Sequence, residues 1–166
     1  MEFKKTNIRK IDQSAVRSLA EDWALVTAGT KDAFNTMTVS WGGLGEIWGK
    51  DAAFIFIRPG RYTFGFLEAN DRFTISFFGG AQKKALALCG SKSGRDTDKV
   101  KEAGLSPVFD GGTTYFDEAT LVLKCRKMAS YDLTPDGFLD AAVAENYDGT
   151  DYHRMYIAEI EETLTK

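Results

Sequence analysis

Along this chain of 166 residues, strand-like stretches outnumber helix-like ones. Ala24-Leu25-Val26-Thr27, closed by Gly29, reads as a strand, as do Thr36 to Trp41 and Phe73 to Phe78. Ala52 to Ile57 is a continuous apolar run, the pattern of a strand covered on both faces. Thr113 to Phe116, Thr120 to Met128 and Tyr152 to Ile160 supply three later strands. Helical spacing appears in four places. Asp12 to Trp23 puts Ala15, Val16, Leu19 and Trp23 on one side, and Thr63 to Asn70 turns Phe64 and Leu67 inward. Ala81 to Cys89 has Gly90 as its C-cap, and Asp96 to Ala103 ends at Gly104, with Asp96 as N-cap and Asp98 in the first turn. There is no regular strand–helix alternation. The pattern predicts a mainly β chain, a closed or nearly closed barrel with peripheral helices, and not a doubly wound parallel sheet.

Length and the absence of repeats or linkers predict one domain spanning residues 1–166. A net charge of −3 argues against a nucleic-acid binder, whose surface carries a basic face. No apolar run is long enough for a membrane span, and Met1-Glu2-Phe3-Lys4-Lys5 lacks the apolar core of a signal peptide, so a cytoplasmic protein is expected. Cys89 and Cys125 lie far apart, and His153 is the only histidine. That inventory makes a poor zinc site, and no G-x-S-x-G elbow accompanies the histidine. Neither metal ligands nor a catalytic side chain is expected.

Two segments carry the chemistry. In Asn35-Thr36-Met37-Thr38-Val39-Ser40-Trp41-Gly42-Gly43, the hydroxyls of Thr36, Thr38 and Ser40 fall at alternate positions and share one strand face. Ordinary half-exposed strands show the same alternation. In Arg58-Pro59-Gly60-Arg61-Tyr62-Thr63, two guanidiniums flank a Pro-Gly turn just ahead of a helix start at Thr63. Hydroxyls on one wall and paired arginines at a helix N-terminus suit a ligand with a polar body and a phosphate tail. The glycine cluster from Gly42 to Lys50 fits neither nucleotide motif: Trp48 stands where a dinucleotide fingerprint needs a small residue, and Asp51 where a P-loop needs a hydroxyl. A tightly turning loop after the hydroxyl strand is the expectation there.

These two segments, with Ser93-Gly94-Arg95-Asp96 and the ending Asp151-Tyr152-His153-Arg154-Met155-Tyr156-Ile157-Ala158-Glu159-Ile160, resemble the flavin reductase-like, flavoredoxin-type proteins. These belong to the FMN-binding split-barrel group, and the resemblance runs from about Trp23 to the end. It implies an antiparallel split β-barrel that forms a homodimer, with FMN near the subunit interface. Thr38, Ser40 and Trp41 would border the isoalloxazine, with Asn35 and Thr36 nearby. Arg58, Arg61, Tyr62 and Thr63 would hold the ribityl phosphate. Lys92, Ser93 or Arg95 would close over the flavin or meet the phosphate of a nicotinamide donor, although the same stretch also reads as plain helix entry. The implied activity passes hydride from NADH or NADPH to the bound flavin and on to a small-molecule or protein acceptor. The alternative is a non-enzymatic FMN electron carrier. No nucleic-acid or membrane partner is implied.

Overall fold

The structure, a computed structural model, describes residues 2–166. Its strands are β1 (Lys4–Thr6), β2 (Ala24–Gly29), β3 (Phe34–Val39), β4 (Gly42–Ile47), β5 (Lys50–Ile57), β6 (Arg72–Phe77), β7 (Pro107–Asp110), β8 (Thr113–Phe116), β9 (Leu121–Asp132) and β10 (Arg154–Thr165). Its helices are short: α1 (Ala15–Ala20), α2 (Tyr62–Ala69), α3 (Lys83–Ser91), α4 (Lys99–Glu102) and α5 (Ala141–Ala144). Eight strands form one sheet, wholly antiparallel, in the order β3-β2-β6-β9-β10-β5-β4, with β1 beside the far half of β10.

The two ends of that order, β3 and β4, are consecutive in the chain, joined only by Ser40 and Trp41. Two residues of extended chain span at most about 7 Å. The sheet must therefore curl until its edges nearly meet, yet β3 and β4 do not pair, which leaves a barrel split along one seam. Side chains on the inner face fill it: Val26, Met37, Ile55, Ile75, Leu123 and Tyr156 belong to one buried cluster. A second cluster lies outside, where α3 and the β7–β8 hairpin cover Leu25 and Val122. Hydroxyls knit that cover to the sheet. Thr74 donates to the Thr114 carbonyl at 2.5 Å, and Thr114 donates to the Gly29 carbonyl at 3.1 Å.

Several elements differ from the sequence expectation, each for a local reason. The glycine-rich stretch after Trp41 is an edge strand, β4, and its two-residue connection to β5 is Trp48-Gly49 with φ of 55° and 71°, the geometry of a type I′ hairpin turn. The helix expected from Asp12 begins only after Ser14, whose hydroxyl accepts the Arg17 N–H, and Val16 points outward, 77% exposed. Gly90 lies inside the last turn of α3, not at its cap. A Cβ there would come within 3.3 Å of the Thr38 Cβ, so the glycine serves close packing of α3 on β3. Asp98, not Asp96, caps α4, accepting the Lys101 N–H at 3.1 Å, because a turn from Ser93 to Asp96 occupies the preceding residues. The apolar run of β5 alternates after all: Ala53, Ile55 and Ile57 enter the barrel core while Phe54 and Phe56 are half-buried.

Two turn glycines separate steric clash from backbone strain. Gly29 has φ of +105°, and a Cβ on it would lie 2.3 Å from the Ala33 carbonyl oxygen, whereas Gly49 at φ +71° has no atom within 4 Å. Gly49→Ala should cost only the left-handed strain, about 1–2 kcal/mol. Gly29→Ala should cost clearly more, about 3 kcal/mol or beyond. Urea denaturation of the two variants checks the order, and equal losses would contradict it.

Candidate functional site

Strand register assembles the site at one end of the seam. Gly42 faces Ile55 and Arg154 faces Ile57, which brings Trp41, Arg58 and His153, each just beyond a strand end, together beside Phe56 of β5. They line a cavity of about 220 Å³ with Thr38, Ser40 and Arg61. Trp41 is 48% exposed, its ring 5.1 Å from that of His153. The Tyr147 hydroxyl lies 2.7 Å from His153 Nδ1, and Arg58 sits over the Tyr147 ring while donating to the Asn146 carbonyl at 2.8 Å. Burial, helped by the nearby Arg58 charge, pushes the His153 pKa below its ordinary value, with Asp151 opposing. The shift favours the neutral imidazole.

Arg61 also walls a second cavity, of about 260 Å³, with Tyr62, Thr63, Lys92, Ser93, Arg95 and Lys99. Five cations thus border the two hollows, and how they are held matters. Arg61 donates to the Gly90 carbonyl at 3.0 Å. Lys99 donates to the Cys89 carbonyl at 3.1 Å and the Lys92 carbonyl at 3.2 Å. Cys89 and Gly90 lie in the last turn of α3, where the last carbonyls have no partner within the helix and carry its negative dipole end. Arg95 donates to the Gly60 carbonyl at 3.3 Å, its guanidinium 4.9 Å from the Tyr62 ring centre. Among the described residues only Lys92 of the five pairs with a carboxylate, Glu102 at 2.5 Å. Carbonyls position the other four; the Asp151 carboxylate, which accepts the Gly60 N–H at 2.7 Å and acts on Arg61, offsets part of the charge, and the cations still outnumber it. The same second cavity opens at the start of α2, whose first backbone N–H groups have no helical acceptor.

The expected site residues divide into those that face these cavities and those tied up behind them. Ser40, Trp41, Arg58, Arg61, Tyr62, Thr63, Lys92, Ser93 and Arg95 all line one cavity or the other. Thr38 lines the first, but its hydroxyl donates to the Leu86 carbonyl under α3. Thr36 is fully buried, donating to the Val26 carbonyl at 3.1 Å with its oxygen 2.8 Å from that of Thr27. Asn35 is buried too, its Nδ2 donating to Thr63 Oγ1 at 2.8 Å. Thr63 is consequently inside α2 and not its cap; the cap position is Arg61. Gly94 explains how the Ser93–Arg95 loop docks: a Cβ there would lie 2.2 Å from Asn35 Oδ1 and 3.0 Å from Tyr62.

Sequence reasoning did not single out Lys99, which is only 3% exposed. Desolvation lowers its pKa to about 8, the Arg61 charge adding to the fall and Cys89 opposing it. Nothing in its immediate sequence marks it, since a lysine after a helix cap is ordinarily solvated; packing of α4 on α3 buries it. A larger hollow, about 510 Å³, lies elsewhere, between the N-terminal turn and Leu44, Phe77 and Ile160. Of its charged lining, Arg9 and Asp51 are already paired at 2.8 Å, and Glu46 accepts the Gly49 N–H at 2.8 Å.

A family model described as flavin reductase like domain matches residues 16–166. Among solved structures, the FMN-binding domain of a flavin reductases-like enzyme from Shewanella baltica aligns with TM-score 0.70 and 18% identity, over 99% of this chain and 77% of that one. Flavoredoxin of Desulfovibrio vulgaris aligns with TM-score 0.68 and 21% identity, over 94% and 77%. The NADH:FAD oxidoreductase of Streptomyces globisporus, in complex with NAD and FAD fragments, aligns with TM-score 0.63 and 17% identity, over 87% and 74%. At such identities these likenesses show the fold, an antiparallel split barrel. A search of curated protein sequences finds no match.

The buried amine makes a prediction about stability. Lys99 binds its proton less tightly folded than unfolded, so the unfolded chain holds more protons between pH 8 and 10.5. Below pH 8 both states are charged and the effect is constant. Relative to Lys99→Met, wild-type stability should rise with pH across that window, by up to about 1.4 kcal/mol per unit. Urea denaturation of both proteins at pH 7, 8, 9 and 10 checks this, and a flat difference would contradict it.

Proposed function

We propose that this chain, which belongs to the flavin reductase-like family, binds FMN and passes electrons from NADH or NADPH through it to an acceptor. The observation carrying the reading is the adjoining of two cavities across Arg61: one open at the seam beside Trp41 and Ser40, the other lined by cations that carbonyls hold in place. A flat ring system fits the first and a phosphate the second. Arg61, Lys99, Arg95 and the free N–H groups at the start of α2 would hold the phosphate. Trp41, Ser40 and the backbone around Val39 would border the ring. Bound flavin supplies the hydride chemistry, and the protein supplies orientation and shelter from water. No side chain is assigned as an obligatory acid or base.

His153 and Arg58 close the cavity on the side away from β3, locked by Tyr147 and Asn146. A neutral imidazole there can donate or accept a hydrogen bond without adding charge beside the cations. The exposed half of Trp41 marks the open side of the cavity, and we assign a second copy of the chain to complete it, giving a homodimer. Light scattering should then return about twice the 18.4 kDa chain mass, and a single-chain mass at micromolar concentration would reject the dimer.

Anaerobic mixing of the FMN-loaded protein with NADH, then NADPH, tests the activity. Rapid bleaching of the flavin with one donor supports the oxidoreductase. No bleaching over minutes, with dithionite still able to reduce the flavin, would leave an electron carrier instead. The phosphate assignment has its own test. A charge-assisted hydrogen bond is worth roughly 1.5–3 kcal/mol. Arg61→Ala should therefore weaken FMN binding by about ten- to a hundredfold, while riboflavin, which lacks the phosphate, binds nearly as before. Equal losses for the two flavins would remove Arg61 from the phosphate.

A further inference from the structure

His153 is the only histidine of the chain, and its two ring nitrogens have different surroundings. Nδ1 lies 2.7 Å from the Tyr147 hydroxyl. His153 lines the ring cavity beside Trp41, Ser40 and Arg58, and Tyr147 stands behind it, outside that lining. Nδ1 is therefore occupied by the protein, and Nε2 is the nitrogen left to meet a ligand. Among the described residues no group bonds to Nε2. Both partners of the contact are held in place. The Tyr147 N–H donates to the Ala144 carbonyl at 3.0 Å, at the end of α5. Its ring lies 5.7 Å from that of Phe138, 16° from parallel, and 4.8 Å from that of Tyr152. The His153 carbonyl accepts the Leu133 N–H at 2.9 Å, and its side chain is buried.

The contact between hydroxyl and imidazole can run in either direction, and the surroundings favour one. If Nδ1–H donated, the phenolic proton would have no acceptor among the described residues. If the hydroxyl donates, its proton and the Nδ1 lone pair satisfy each other. An imidazole nitrogen is also a better acceptor than a phenol oxygen, whose lone pair is shared with the ring. The Arg58 guanidinium, 4.9 Å from the centre of the Tyr147 ring, draws further density from that oxygen. We propose that Tyr147 is a positioning residue for the ring cavity: its hydroxyl donates to His153 Nδ1, keeps the imidazole proton on Nε2, and makes that wall a hydrogen-bond donor to a carbonyl oxygen of the bound ring. The inference rests on the flavin-site reading and deepens it, because it fixes what His153 offers. A flavin ring carries carbonyl oxygens on one edge and methyl groups on the opposite one, so the donor also decides which edge faces His153.

A single histidine makes the test direct. Nitrogen NMR of flavin-free protein carrying isotope-labelled histidine, at pH 8 and so above an imidazole pKa that burial lowers, reports which nitrogen holds the proton. Nε2 should hold it and Nδ1 should not. Tyr147→Phe keeps the stacked ring and removes the hydroxyl, so the ratio of the two tautomers should fall about two- to tenfold, the worth of one neutral hydrogen bond. A proton on Nδ1 in wild type, or a ratio that Tyr147→Phe leaves unchanged, would overturn the role of Tyr147. Titration with FMN and with riboflavin reads the ligand side. His153→Leu should weaken both by the same factor, about two- to tenfold, because the contact is to the ring and not to the phosphate. His153→Gln, whose amide carries an N–H at the reach of Nε2, should recover most of that loss. Affinities that His153→Leu leaves unchanged would overturn the ring contact while FMN binding stands. Failure of FMN itself to bind would overturn the flavin reading and the ring contact with it, and the nitrogen signals of the flavin-free protein would still decide the role of Tyr147.

Discussion

The structure depends on a length constraint: the two edges of an eight-stranded sheet are tied together by Ser40 and Trp41 alone. So short a link forces the sheet to curl, and the curl creates an enclosed core from inward residues of seven strands. The same link prevents closure at its own position, since a chain that must turn there cannot also pair there. The gap that remains is bordered by the ends of β3 and β5 and the beginning of β10. Every residue of the ring cavity lies on or beside one of those strand ends, or at the turn into α2. The site is therefore a by-product of how the barrel is shut.

The cationic cavity rests on a different arrangement. Burying positive charge is costly unless something polar receives it, and the usual receiver is a carboxylate. Here the receivers of Arg61 and Lys99 are the last carbonyls of α3. Those carbonyls need donors in any case, so helix and cations satisfy each other. Cations held in this way keep their attraction for an anion, at the cost of a destabilised ammonium at Lys99, which the lowered pKa records. Lys92, which is paired with Glu102, is correspondingly less available.

The strands were largely legible because the order of β-favouring and apolar residues along the chain marks them, as around Val26, Ile75 and Leu123. Paired arginines at a turn are ordinarily solvated, and this pair was legible through its order and spacing after the hydroxyl strand. Less was legible where tertiary contacts overrule local preference. Asn35, Thr36 and Thr38 do share a strand, with Ser40 just past its end, but α2, β2 and α3 respectively take up their polar groups, and no local pattern foretells which neighbour will cover a strand face. The glycines of β4 resemble loop residues until the barrel needs an edge strand there. Lys99 escaped notice because it looks like a solvated lysine until α4 packs on α3.

Arg61 is the wall common to the ring cavity and the cationic cavity, and that has a consequence for how preference among ligands can change. A residue bordering one compartment can be exchanged to suit the part of a ligand that lies there. A residue bordering both cannot, because any replacement alters the two compartments at once. A change of ligand preference is accommodated more readily at positions that border one hollow alone, such as Trp41 or Lys99.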